Sequence, residues 1–227
     1  LVVSYKSVAV DGPSGAGKST LARMLAEALG YLYVDTGAIY RTVGLAARNR
    51  EISPKDQAAV SGMLPQLRIE MRHGEDGLQH MLLDGEDVTE AIRQHDISAY
   101  ASGGFAIPAV RAFLLERQRE MARTHNVIMD GRDIGTVVLP GADVKIFLTA
   151  SPEDRARRRY EELVARGQQA DYDTVYQDLL ERDKNDSSRA AAPLRQAEDA
   201  ILVDTTGNSL QQSFDVLLAK IREKLEA

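Results

Sequence analysis

Positions 12 to 20 read Gly12-Pro13-Ser14-Gly15-Ala16-Gly17-Lys18-Ser19-Thr20. Residues of these types at this spacing can hold a chain of phosphates. Glycines let the backbone wrap tightly, so that several N–H groups converge on anionic oxygens. Lys18 adds a point charge for the terminal phosphates, and the Ser19 hydroxyl suits a hard cation such as Mg²⁺. Gly12, Gly17, Lys18 and Ser19 satisfy the G-x-x-x-x-G-K-[ST] pattern. A helix starting inside the run would add its partial positive charge to the same place. The expectation is a nucleoside-triphosphate site formed by Gly12 through Thr20. The metal would travel with the nucleotide, held by phosphates, Ser19 and water.

Arginines recur at positions where a second anion could be held. Asp35-Thr36-Gly37-Ala38-Ile39-Tyr40-Arg41 follows one strand-like run, and Asp130-Gly131-Arg132-Asp133-Ile134-Gly135-Thr136 follows another. Both read as loops at the carboxyl ends of strands, the ligand-binding edge of an open parallel sheet. The planar guanidinium fork pairs with phosphate oxygens bidentately, and it can neutralise charge on a phosphoryl group in transit. Arg155, Arg157, Arg158 and Arg159 open a helix and read as a lid bearing positive charge. The bland alternative is a solvated face with i,i+4 pairs such as Arg157 to Glu161 and Arg158 to Glu162. Arg182, Asp186 and Arg189 fall at i, i+4 and i+7, one face of a helix if the helix expected over Thr174–Lys184 reaches that far.

Other function classes fit less well. No asparagine is followed by lysine, so the guanine-reading N-K-x-D element of switch GTPases is missing. The only D-x-x-G match, Asp204 to Gly207, comes after the last strand. A motor would need a longer chain. A net charge of −6 over 227 residues argues against a general nucleic-acid binder, and the chain holds no cysteine for disulfides or thiolate metal sites. His73, His80, His95 and His125 have no ligand spacing. With neither a bilayer-length apolar run nor a leader-like start, a cytoplasmic protein is expected.

The elements that must position these residues follow from periodicity. Strand-like runs at Ser7–Val10, Tyr31–Val34, Val127–Met129, Val144–Leu148 and Ile201–Val203 alternate with helical patterns. Leu21, Leu25 and Leu29 mark one helix, Val110 through Met121 another, and Leu210 through Leu225 the last, capped by Ser209. Ser151-Pro152-Glu153-Asp154 reads as a helix start with Asp154 in the capping-box position. This alternation predicts an α/β fold with a parallel sheet covered on both faces. Extended runs at Leu67–Arg72, Leu78–Leu83 and near Val88, separated by His73–Gly77 and Asp84-Gly85, interrupt it. They predict a small antiparallel lobe inserted between the second and third core strands.

Taken in order, GPSGAGKST, DTGAIYR, LLDGEDVTEAIR, DGRDIGT and ERDKNDSSRAAAPL resemble the bacterial cytidylate kinases, and the resemblance covers essentially the whole chain. It implies a five-stranded parallel P-loop core (1–35 and 105–227, with a lid near 151–189). It also implies a monophosphate-binding region (36–104) carrying the insert near 66–91. The implied reaction is ATP-dependent, Mg²⁺-assisted phosphorylation of CMP and dCMP by a monomer, with no nucleic-acid or membrane partner. Carried over by resemblance, Ser102, Arg111 and Asp133 read cytosine, and Asp186 with Arg182 contacts the sugar. Arg41, Arg132 and Arg189 hold the acceptor phosphate beside Thr36 and Tyr40. The implied catalytic set is Lys18, Arg132, Arg158, Arg159 and Arg189. Ile39 stands where methionine is commoner and Asn185 where some relatives have a basic residue; neither touches an assigned contact. A uridylate or adenylate kinase, or an ATP-binding regulatory module, is the competing reading.

Overall fold

Short apolar runs, four of them closed by an aspartate, form the central sheet of the computed structural model, which describes residues 4–74, 78–94, 96–97, 100–101 and 107–226. The strands are β1 (Ser7–Asp11), β2 (Leu32–Asp35), β6 (Val127–Gly131), β7 (Val144–Thr149) and β8 (Ile201–Asp204). They lie in the order β2-β6-β1-β7-β8 as a five-stranded parallel sheet. Each strand runs one or two residues past its expected end, so Asp11, Asp35, Asp130 and Asp204 all lie within strands. Those carboxylates mark the sheet's carboxyl edge.

The chain divides into two units, Leu1–Tyr33 with Ala122–Ala227, and Val34–Met121. In the first, Val8, Val10, Ile128, Ile146 and Leu148 of the sheet pack with Leu21 and Leu25 of α1 (Lys18–Leu29) and with Leu217 and Ile221 of α7 (Leu210–Glu226). Fully burying one such side chain is worth about 1.5–3 kcal/mol. A reciprocal cap starts α7: the Gln212 N–H donates to Ser209 Oγ at 3.2 Å, and the Ser209 N–H donates to Gln212 Oε1 at 2.8 Å. The start of α5 (Pro152–Ala165) departs from the expected box. Ser151 Oγ accepts the Asp154 N–H, but the Asp154 carboxylate turns to the Gly207 N–H and to Arg157 and Arg158. Its place on the Ser151 N–H is taken by Thr206 Oγ1. Helix α6 (Tyr172–Ser188) packs beside α5 and carries Arg182 and Asp186, while Arg189 already has extended backbone.

In the second unit a three-stranded antiparallel sheet, β3 (Ile69–His73), β4 (Gln79–Leu83) and β5 (Glu86–Asp87), packs on α2 (Thr36–Asn49). Asp84 and Gly85 form the two-residue connection between β4 and β5 with φ of 54° and 92°. Positive φ at both positions is what an Asp-Gly hairpin turn requires. Helix α2 was not expected. The 36–41 segment is its first turns rather than a loop, and Asp35 caps it by accepting the Ala38 N–H at 2.8 Å. Helices α3 (Gln57–Met63) and α4 (Pro108–Thr124) flank the insert in sequence. Among the described residues no helix is long and apolar enough to cross a membrane.

Candidate active site

The glycine-rich run leaves β1 and enters α1, so the helix begins at Lys18 with no side-chain cap on its N–H groups. Gly12 has φ 152°, and a Cβ there would lie 1.9 Å from the Leu148 carbonyl oxygen, so β7 leaves no room for any other residue. The Lys18 ammonium is buried and donates to the Pro13 carbonyl at 2.6 Å. Burial pushes its pKa well below the usual lysine range, with Arg132 and Arg182 acting in the same direction and Asp130 and Asp11 against it. Lys18, Arg132 and Arg182 therefore share one electrostatic neighbourhood in which an anion would relieve mutual repulsion.

Two buried carboxylates, neither assigned a role from sequence, organise this neighbourhood. Asp130, at the end of β6, accepts from Ser19 Oγ at 2.7 Å and from the Tyr33 hydroxyl at 3.1 Å. Asp11, at the end of β1, accepts the Ile134 and Gly135 N–H groups at 2.8 and 2.7 Å. Asp11 thus fixes the wide π-helical turn Ile134–Val138 that replaces the end of the loop expected over 130–136. The sequence signal was an apolar strand run ending in a single acid, a pattern shared by ordinary strand ends.

Burial raises Asp11 from 3.8 to about 6; the two N–H groups lower it, Asp133 raises it and Lys18 lowers it. A raised folded-state pKa contributes stability that is complete below the unfolded value and is lost as pH rises through the folded one. Asp11→Asn removes this dependence. The stability of wild type relative to the variant should fall between about pH 4 and pH 6.5, by at most about 3 kcal/mol for a two-unit shift. Urea unfolding of both proteins across that range checks the sign; a difference flat with pH contradicts it.

Arg132 Nε donates to Asp186 Oδ2 at 2.7 Å, so Asp186 holds an arginine on the following strand-end segment. Arg189 approaches Asp133 at 3.7 Å with both side chains buried, and its Nε donates to the Ala192 carbonyl at 2.6 Å. The arginines of α5 separate into different roles. Arg155 is 4% exposed. Its Nε donates to Ala150 O, its Nη1 to Ser14 O at 2.9 Å, and it pairs with Asp183 at 2.7 Å. It joins the phosphate loop to α5 and α6, a role hidden within an arginine run. Arg157 and Arg158 pair back to Asp154, not forward to Glu161 and Glu162. Arg158 also donates to the Thr205 carbonyl at 2.7 Å, and Arg159 pairs with Glu162.

In the second unit the Arg41 guanidinium lies 2.9 Å from the Asp35 carboxylate, and Thr36 and Tyr40 are buried. The Arg111 guanidinium lies over the Tyr40 ring, 5.8 Å from its centroid, within reach of a cation–π contact. Ser102 lies outside the described residues.

Lys18, Ser19, Arg132, Asp133, Arg182, Asp186 and Arg189 thus belong to the unit of the phosphate loop, and Thr36, Tyr40, Arg41 and Arg111 to the other.

Comparison with known proteins shows the family of the chain. The family model described as cytidylate kinase matches residues 8–223. Relatives named cytidylate kinase include those of Caldicellulosiruptor bescii, 49% identical over 93% of both chains, and Geobacter sulfurreducens, 49% identical over 97% of this chain and 94% of the other. That of Bacillus subtilis is 45% identical over 96% of this chain and 97% of its own. A solved gluconokinase from Sinorhizobium meliloti shares the fold, with a TM-score of 0.50 and 16% identity over 97% of this chain and 95% of that one. The chain belongs to the cytidylate kinase family, phosphotransferases whose acceptor is itself a phosphate group.

Proposed function

We propose that the chain transfers the γ-phosphoryl group of ATP to CMP and dCMP, giving ADP with CDP or dCDP. One observation carries the reading. The buried Lys18 ammonium lies at the start of α1 and donates to the Pro13 carbonyl of the glycine-rich loop, and the neighbouring Ser19 hydroxyl donates to Asp130. The bond that forms joins an acceptor phosphate oxygen to the γ-phosphorus, and the bond that breaks releases ADP. The attacking oxygen is already ionised at neutral pH, so no side chain has to remove a proton. Positioning and charge neutralisation do the work.

Lys18 and the backbone N–H groups of Gly12 through Thr20 hold the triphosphate. Arg132, Arg189 and Arg41 take the acceptor phosphate, and Arg158 and Arg159 belong to the lid. Asp186 and Arg182 face the sugar, Asp186 also fixing Arg132. Asp133 accepts from the exocyclic amine of cytosine, while Arg111 and Ser102 take the remaining polar edge. Uracil would present a carbonyl to Asp133, and leaving such a site unpaired can discriminate by roughly 10⁴. Residues 36–104 form the monophosphate-binding region of a monomer that works in the cytoplasm.

Ser19 and Asp130 present a hydroxyl and a carboxylate 2.7 Å apart, hard oxygen donors that fit Mg²⁺ arriving with ATP. When bound there, the ion would neutralise charge on the β- and γ-phosphates. Asp130→Asn should raise the Mg²⁺ concentration giving half-maximal turnover by roughly 10- to 100-fold, the usual cost of losing one supporting group at a metal. A Mg²⁺ titration of both proteins at saturating ATP checks it; superimposable curves would remove Asp130 from the site.

Product analysis separates the kinase from an ATP-binding regulator. Incubation with ATP and CMP should yield CDP and ADP in equal amounts. ADP formed at the same rate without CMP would contradict the reading.

A further inference from the structure

The inserted antiparallel lobe packs on α2, and one of its side chains reaches the strand end just before the Arg41 segment. Gln79, first residue of β4, is buried, and its amide grips the backbone of Asp35 at both ends. Its Oε1 accepts the Asp35 N–H at 2.8 Å and its Nε2 donates to the Asp35 carbonyl at 3.1 Å. A side-chain amide here supplies the donor and acceptor that a neighbouring strand's backbone would otherwise give. Asp35 is the junction on which the acceptor-side residues hang. Its Oδ1 caps α2 through the Ala38 N–H, and its Oδ2 holds Arg41 Nη2 at 2.9 Å. The fit over this first turn is close: a Cβ on Gly37 would lie 2.9 Å from Arg41 Nη1 and 3.1 Å from Asp35 Oδ1.

We propose that Gln79 is a positioning residue for the acceptor nucleotide: by fixing both backbone polar groups of Asp35, it sets the carboxylate that orients Arg41. The inserted lobe then has a definite task, to carry this amide to the end of β2. The inference rests on the reading of Arg41 as a ligand of the acceptor phosphate. In this role Gln79 acts on the acceptor through Asp35.

Gln79→Leu removes this acceptor and donor from the partly buried Asp35 backbone. Gln79→Glu keeps the shape and the acceptor for the N–H but sets an oxygen against the Asp35 carbonyl. Both should raise KM for CMP by about tenfold, the effect expected for a loosened buried polar pair, with KM for ATP within about twofold of wild type. His80→Gln, on the neighbouring position of β4, controls for simple weakening of the lobe and should leave both KM values unchanged. Arg41→Ala is measured alongside. If Arg41→Ala raises KM for CMP while both Gln79 variants leave it unchanged, Gln79 has no positioning role. An increase shared equally between CMP and ATP in the Gln79 variants overturns it as well, since that is what general loosening would give. If Arg41→Ala itself leaves KM for CMP unchanged, the acceptor-site reading falls and the inference falls with it.

Discussion

Lys18→Met should reduce kcat by at least about 10³-fold, because it removes the buried ammonium proposed to hold the triphosphate. The same substitution should make the protein more stable. Lys18 is buried and hydrogen-bonded to a carbonyl, and its charged form is disfavoured by burial and by Arg132. Methionine of similar length needs no desolvation of charge. The linkage has a definite sign. A depressed lysine pKa means that stability present above the unfolded value of 10.5 is lost as pH falls through the folded one. Met lacks that loss, so the variant's advantage should be larger at pH 7 than at pH 10. Chemical denaturation of the two proteins at pH 7 and pH 10 gives this difference directly. A variant that loses both activity and stability would show that Lys18 is a structural residue.

Arg132 carries the second large expectation. Arg132→Met should lower kcat/KM for CMP by about 10²–10³, as expected for one lost charge-stabilising donor. It should also cost roughly 3–5 kcal/mol of stability, because the partner Asp186 is left buried and uncompensated. Only 18% of the Arg132 side chain and 7% of the Asp186 side chain are exposed, so solvent cannot replace the pairing. The two effects can be separated. Adding Asp186→Leu removes the orphaned charge and should restore most of the stability while leaving turnover low. If turnover returned with stability, Arg132 would be holding the fold and not the phosphate.

The sheet was legible because most of its strands are short apolar runs stopped by a charge, as in Val127-Ile128-Met129 before Asp130. The hairpin at Asp84-Gly85 was legible because its positive φ values admit few residue types. Helix α2 was not. Gly37 and Gly44 weaken its intrinsic propensity, and burial on most sides together with the Asp35 cap overrides that weakness. Gly44 is there for close packing, since a Cβ would meet the Ala101 nitrogen at 3.0 Å.

For the site, residue types and loops could be read, but pairings could not. Arg132 and Asp186 lie 54 positions apart, and nothing local in either segment names the other. Asp11 and Asp130 escaped notice because an acid closing a strand is common. Only the fold shows that one faces Ser19 and the other faces two backbone N–H groups. Arg155 looked like its neighbours in an arginine run and differs only in being buried against Ser14 and Asp183.

The central claim is that this phosphate-to-phosphate transfer is directed at cytosine. The measurement is kcat/KM in a coupled assay with ATP as donor and CMP, dCMP, UMP, AMP and GMP as acceptors. Polar reading of the base by Asp133 and Arg111 predicts that CMP and dCMP exceed UMP, AMP and GMP by at least about 10². A higher kcat/KM for AMP or UMP than for CMP would contradict the account.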